Sequence, residues 1–395
     1  MRGKLIIPIV LAVVAGTGLS GAPALATPGD VVAADQAQLV TLARRYLQDR
    51  ADRLTAPDGV TTHRLTSVAV DAAVGAELAG DLAAIDARRT LLRKVNGGHT
   101  RAEVAVLHPV FDARGSSVDV AFTEHTKLYF ARALPDAPKY EEYGVDRRLT
   151  FQATPNGWRL TGDVVDLAQG ELAPDTDPAA APAVVENSGA KRPNTAVDRP
   201  TEAQLRAAPA AAAKPGIAAG TSTVLYDYSA MLNYANQYWG PSDSNYNGSY
   251  RTYGGNGGDC TNFVSQITRY GGWSTVGSWP GDSRADNSKW FYGSFTWTTS
   301  YSWPAAENWY WFAAHESGRT SYLDNVWKML VTDVLQVDFD RDNNISHSLF
   351  VTGRSGSGQY ANELYVTYHS NNTHNKPLSS FIASAPDAWY YAHRT

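Results

Sequence analysis

Residues 254–272 read Gly-Gly-Asn-Gly-Gly-Asp-Cys-Thr-Asn-Phe-Val-Ser-Gln-Ile-Thr-Arg-Tyr-Gly-Gly. A glycine-rich run ends at Asp259, a good helix N-cap. Phe263, Val264 and Ile267 then recur on one helical face until Gly271 and Gly272 stop it. Cys260 is thereby expected at the first helical position. Unpaired backbone N–H groups and the positive end of the helix dipole stabilise a thiolate there, and the same groups can hold a developing oxyanion. A buried structural cysteine fits poorly beside a polar, glycine-rich loop. Cys260 is the single cysteine of the 395 residues, so no internal disulfide competes for it. It is the expected nucleophile.

A thiolate needs a base, and the base needs an orienting partner. Val334 to Phe339 reads as a strand, followed by an Asp/Asn-rich turn. Ile345 to Thr352 reads as a second strand with His347 near its start. Gly353 to Gly358 then makes a turn into a third strand, Leu364 to His369. These strands set His347 and His369 as neighbours on adjacent antiparallel segments. A lone strand histidine is more often structural than catalytic; two on paired strands, downstream of a helix-start cysteine, shift that balance. A cysteine on a helix, facing a histidine on a strand, is a papain-type layout.

The segments Asp259 to Gln266, Ser346 to Thr352 and His369 to Ser379 resemble the amidase domain family of secreted bacterial proteins. That family is similar to the CHAP and NlpC-type cysteine amidases of the papain-like superfold, and the resemblance spans roughly Tyr226 to Arg394. It implies an α+β C-terminal domain with the cysteine helix packed on an antiparallel sheet. It also implies Cys260 as nucleophile, His347 as base and His369 as the polar third member. Ser346 stands where the family often has an acidic residue, and Asn372 where it often has Asp. Asn371 and Asn372 therefore stay open as alternatives for orienting His347. Asn256, Tyr253 and the Cys260 backbone N–H are the candidate oxyanion donors.

Outward from this centre the chain divides into segments of different composition. Residues 1–26 read as a secretory signal peptide. Arg2 and Lys4 precede an apolar run from Leu5 to Ala15, which is too short to span a bilayer, and Ala24-Leu25-Ala26 is the cleavage pattern. Val31 to Asp166 reads as a small α+β unit. Helices are expected over Gln38–Leu54 and Leu78–Val95, then a curved meander of strands: Val104–Phe111, Val118–Phe130, Leu149–Ala153 and Trp158–Val164. Its histidines His99, His108 and His125 are too scattered for ligand spacing. Leu167 to Gly220 is rich in Ala and Pro, lacks aromatics and reads as a linker. Ten of the eleven tryptophans then fall between Trp239 and Trp389, which means a core built on rings, a lined groove, or both.

Asp338, Asp340 and Asp342 alternate like the start of a calcium loop, but the twelfth position is Leu349 where a bidentate Glu belongs, so a polar turn is expected and calcium is the alternative. A zinc site from His347, His369 and His374 would leave Cys260 unexplained. No cofactor is therefore expected. The formal charge of −5 is mixed along the chain, with no basic stripe for nucleic acid and no later membrane span. The expectation is a secreted, monomeric cysteine amidase or peptidase acting on amide bonds of cell-wall peptide. An acyl or peptidyl transferase using the same centre, and a non-catalytic wall-binding module, are its rivals.

Overall fold

In the N-terminal unit, Leu39, Ala43, Tyr46, Leu47 and Leu54 recur at helical spacing, and all are buried on one face of α1 (Ala33–Thr55). Helix α2 (Ala72–Asn96) presents Val74, Leu78, Leu82 and Ile85 in the same way. Asp71 caps it by accepting the Val74 N–H at 2.8 Å, and Gly97 ends it in the left-handed region. The computed structural model describes residues 33–57, 66–166, 194–207, 209–211, 214, 217–219, 222–224, 226–253 and 259–395. The expected signal peptide, Asn256 and positions 167–193 of the expected linker lie outside them. Among the described residues no helix is long and apolar enough to cross a membrane.

Both helices pack on an antiparallel meander of β1 (His99–Arg114), β2 (Ser117–Phe130), β3 (Tyr140–Thr154) and β4 (Gly157–Asp166). Further along come α3 (Glu202–Ala207), the paired strands β5 (Ile217–Ala219) and β6 (Ser222–Val224), α4 (Tyr228–Tyr238) and α5 (Cys260–Tyr270). Asp227 caps α4 through the Ala230 N–H at 2.8 Å. Helix α6 (Ala306–Tyr310) runs on into a π-helical turn at Trp311–Glu316. The remaining elements are β7 (Ser321–Tyr322), β8 (Val334–Asp338), β9 (His347–Ser355), β10 (Glu363–Tyr368), β11 (Thr373–Pro377), α7 (Leu378–Ser384) and β12 (Trp389–Arg394). The chain is α+β, with a large antiparallel sheet covered by helices.

One sheet runs through both halves. Its order is β1-β2-β3-β11-β10-β9-β8-β12-β7, with β4 also on β3. Strand β3 is long enough to serve two partners. Asp146 to Thr154 pair with β4, whereas Tyr143 and Glu142 pair with Thr373 and His374 of β11. At this seam Glu142 accepts from His125 at 2.9 Å and from His374 at 3.0 Å, with Lys127 at 3.2 Å. Burial pushes the Glu142 carboxyl up, but the hydrogen bonds from His125 and His374, with the charge of Lys127, outweigh it and hold the group far below the ordinary range. Gly144 makes the approach possible, because a Cβ there would sit 1.7 Å from the Pro241 carbonyl oxygen.

The linker assignment needs correcting from residue 194 onward. Thr195 donates its N–H to Tyr390 at 2.7 Å, and Trp327 donates its indole N–H to the Val197 carbonyl at 2.9 Å. Lys214 is buried 2.8 Å from Asp333. A few polar anchors thus fix a segment whose Ala/Pro composition carries no packing pattern.

Two cores flank the C-terminal part of the sheet. Leu335, Val337, Leu349, Val351, Val366 and Tyr368 face α7 and Phe381 on one side. Val334 and Phe350 face α4 and α5 on the other, within a ring-rich core of Trp273, Trp290, Trp303 and Trp309. Phe295 and Trp297 are instead more than half exposed and stack on each other at 4.5 Å.

Candidate active site

Helix α5 begins at Cys260 and is buried from Cys260 through Thr268. Asp259 does not cap it with its side chain. The Asp259 carboxylate is used elsewhere: Oδ1 accepts from the Tyr253 N–H at 2.9 Å and from Asn262 Nδ2 at 2.8 Å, and Oδ2 accepts from His369 Nδ1 at 2.6 Å. His369 Nε2 lies 2.8 Å from the Tyr238 carbonyl oxygen. Both ring nitrogens thus face oxygen acceptors, and the Asp259 carboxylate fixes the orientation of the ring. The ring is sandwiched between Tyr246 at 3.7 Å and Phe263 at 3.8 Å.

His347 lies on the strand next to the one that leads to His369, but its side chain takes the other face. Its ring packs against Tyr368, Phe381 and Phe339 on the α7 side of the sheet. Its neighbour Ser348 points the other way and meets Thr261 of α5, Oγ to Oγ1, at 2.8 Å. Side chains alternate along a strand, so His347 and the cysteine helix lie on opposite faces. The cause is a one-residue β-bulge. Tyr365 pairs with Gly353 but Val366 pairs with Val351, leaving Thr352 as the extra residue. Continued past Thr367↔Phe350, this register sets His369 opposite Ser348. Without the bulge the two histidines would share a face. Burial, with a smaller push from the Lys376 charge, takes the His347 imidazole down to about 3 from its ordinary value of 6.5.

The loop after β10 is strained. Ser370, Asn371 and Asn372 have φ of 71°, 66° and 20°, three successive non-glycine residues at positive φ. Each is anchored or buried. The Asp259 N–H donates to Ser370 Oγ at 2.8 Å, Tyr246 donates its hydroxyl to Asn372 Oδ1, and the Gly144 N–H donates to the Asn372 carbonyl at 3.0 Å. Asn371 Nδ2 is buried without a hydrogen-bond partner. Asn372 therefore braces the loop and does not orient His347. Tyr253 receives Arg251 Nη1 at its hydroxyl at 2.8 Å. His374 goes to Glu142 and Asn236, so His347, His369 and His374 are not brought together.

Sequence reasoning missed Asp259 as the partner of His369, although its place directly before Cys260 was on view. Asp243 was also missed: burial, with Asp146 and Asp259 nearby, raises its carboxyl above the ordinary range.

Residues 225–393 match the model of the family described as "Putative amidase domain". This supports an amidase domain in the C-terminal half. No curated protein matches the chain. Among solved structures, a Kribbella flavida protein is 18% identical, with 33% of this chain and 89% of that chain covered and a TM-score of 0.22. An Ntf2-like protein involved in plasmid conjugation is 8% identical, with 86% of this chain and 96% of that chain covered and a TM-score of 0.16.

Proposed function

We propose that the C-terminal half is a cysteine-dependent amide hydrolase, with Cys260 as nucleophile and His369, held by Asp259, as its proton carrier. The observation that carries this is the 2.6 Å Asp259–His369 contact directly beside the first residue of α5. A helix start favours a thiolate at Cys260, and an imidazolium nearby favours it further. The thiolate attacks an amide carbonyl carbon, forming a C–S bond, while the oxyanion rests on backbone N–H groups at the start of α5. His369 gives its proton to the departing amine as the C–N bond breaks. Water then attacks the thioester, returns a proton to His369 and frees the acid and the thiolate. Exchange of the Tyr238 carbonyl for the thiol at Nε2 is the motion this reading requires.

The apolar leader before Ala26 and the family resemblance favour cell-wall peptide outside the cell as the substrate. The exposed Phe295–Trp297 stack favours a second reading, a wall-binding module, because paired rings in water offer a platform for glycan or peptide.

The test is the rate of iodoacetamide labelling of Cys260 against pH, in wild type and in His369→Gln, alongside release of amine from wall peptides. Rapid labelling with an apparent pKa well below about 8.5, lost in His369→Gln together with hydrolysis, is the expected result. Slow labelling at the free-thiol value, indifferent to His369→Gln, would overturn the hydrolase and leave the binding module.

A further inference from the structure

The turn between β8 and β9 brings the carboxylates of Asp338, Asp340 and Asp342 together, with one oxygen of each within 4.8 Å of the others. Asp340 and Asp342 are exposed, whereas Asp338 is fully buried. Its two oxygens differ. Oδ2 accepts the Asn343 N–H at 3.0 Å, but Oδ1 is buried with no hydrogen-bond partner. A buried carboxylate oxygen without a donor is costly, and two more carboxylates crowd the same turn. Arg341, inside the same turn, reaches outward to Asp387 at 3.7 Å and leaves the cluster uncompensated.

We propose that this turn is a calcium site, with Asp338 Oδ1, Asp340 and Asp342 as its protein anchors. The chemistry fits a hard cation that takes oxygen ligands only. Calcium tolerates irregular geometry and completes its shell with backbone carbonyls and water, whereas magnesium demands a near-ideal octahedron. With Leu349 where a bidentate Glu would complete an EF-hand, affinity belongs in the weak range of extracellular modules, about 10⁻⁴–10⁻³ M. The turn opens directly onto β9, so a bound ion ties the ends of β8 and β9 together beneath Glu307, which accepts the Ile345 N–H at 3.0 Å.

Terbium replaces calcium as a luminescent probe. Trp389, the partner of Asp338 across the β8–β12 ladder, is placed to sensitise it. The comparison is wild type against the Asp340→Asn, Asp342→Asn double variant, whose changes are exposed and spare the fold. Saturable terbium emission, displaced by calcium and lost in the double variant, is expected, with a Tm raised by calcium in wild type alone. Absence of saturable emission, or equal emission and equal Tm response in the two proteins, would overturn the site.

Discussion

His347→Leu separates the histidine's structural role from a catalytic one. Leucine fills a similar volume among Tyr368, Phe381 and Leu349, and it removes a ring whose Nε2 is buried without a partner. At pH 7 the change is expected to alter stability by no more than about 1 kcal/mol. Acid changes this. The folded imidazole sits at about 3 and the unfolded one at 6.5, so between those values the unfolded chain binds a proton that the folded chain excludes. Stability from this group is therefore complete above pH 6.5 and is lost as pH falls toward 3. The loss amounts to about 1.4 kcal/mol per pH unit, or about 2 kcal/mol between pH 6.5 and 5.

Urea unfolding followed by tryptophan fluorescence at pH 7, 6 and 5 reads this out. The difference between the two proteins isolates His347 from other groups that titrate in the window, among them His393, lowered to about 3, and Asp338, raised to about 7. His347→Leu should gain on wild type by about 2 kcal/mol at pH 5, while iodoacetamide labelling of Cys260 stays unchanged. A pH-independent difference would refute the buried, neutral imidazole. Loss of labelling would refute the placement of His347 across the sheet from α5 and restore it as the base.

Other perturbations address the seam and the surface. Gly144→Ala drives a methyl group into the Pro241 carbonyl and should cost about 2 kcal/mol or more, seen as a lower urea midpoint and faster proteolysis between the halves. Glu142→Gln removes the charge shared by His125, His374 and Lys127 and should cost about 2 kcal/mol at pH 7. Because the folded carboxyl is depressed, that cost should shrink as pH falls below the ordinary value of 4.5. The double change Phe295→Ala, Trp297→Ala should reduce retention on insoluble cell-wall polymer while leaving labelling of Cys260 as in wild type.

Local pattern made much of the fold legible. The apolar spacing of Leu39, Leu42, Tyr46, Leu47 and Leu54 marks α1, and the pair Asn156-Gly157 marks the β3–β4 turn. The cysteine helix was legible because Gly258 and Gly271 bracket one amphipathic run. What escaped depends on partners remote in sequence. Glu142 meets His374 across 232 positions, and no local feature of either announces it. The face taken by His347 hangs on one extra residue, Thr352, within a strand of unremarkable β-branched composition, and a bulge there inverts every side chain beyond it. Asp259 looked like a cap because caps and carboxylate partners draw on the same residue types; only the position of His369 distinguishes them.

The seam and the site loop are mechanically one feature. Three consecutive left-handed residues at Ser370–Asn372 cost on the order of 1–2 kcal/mol each, so the loop holds its shape only while its anchors outweigh that strain. Two anchors, Asp259 and Tyr246, come from the C-terminal half. Another is the Gly144 N–H of β3, in the N-terminal half, reaching the Asn372 carbonyl at 3.0 Å. The residue that opens this loop is His369, whose ring is fixed by Asp259. Loosening β3 from β11 therefore withdraws one support from the segment that carries the proposed proton carrier. On that reasoning the N-terminal unit helps to hold the loop that begins at His369.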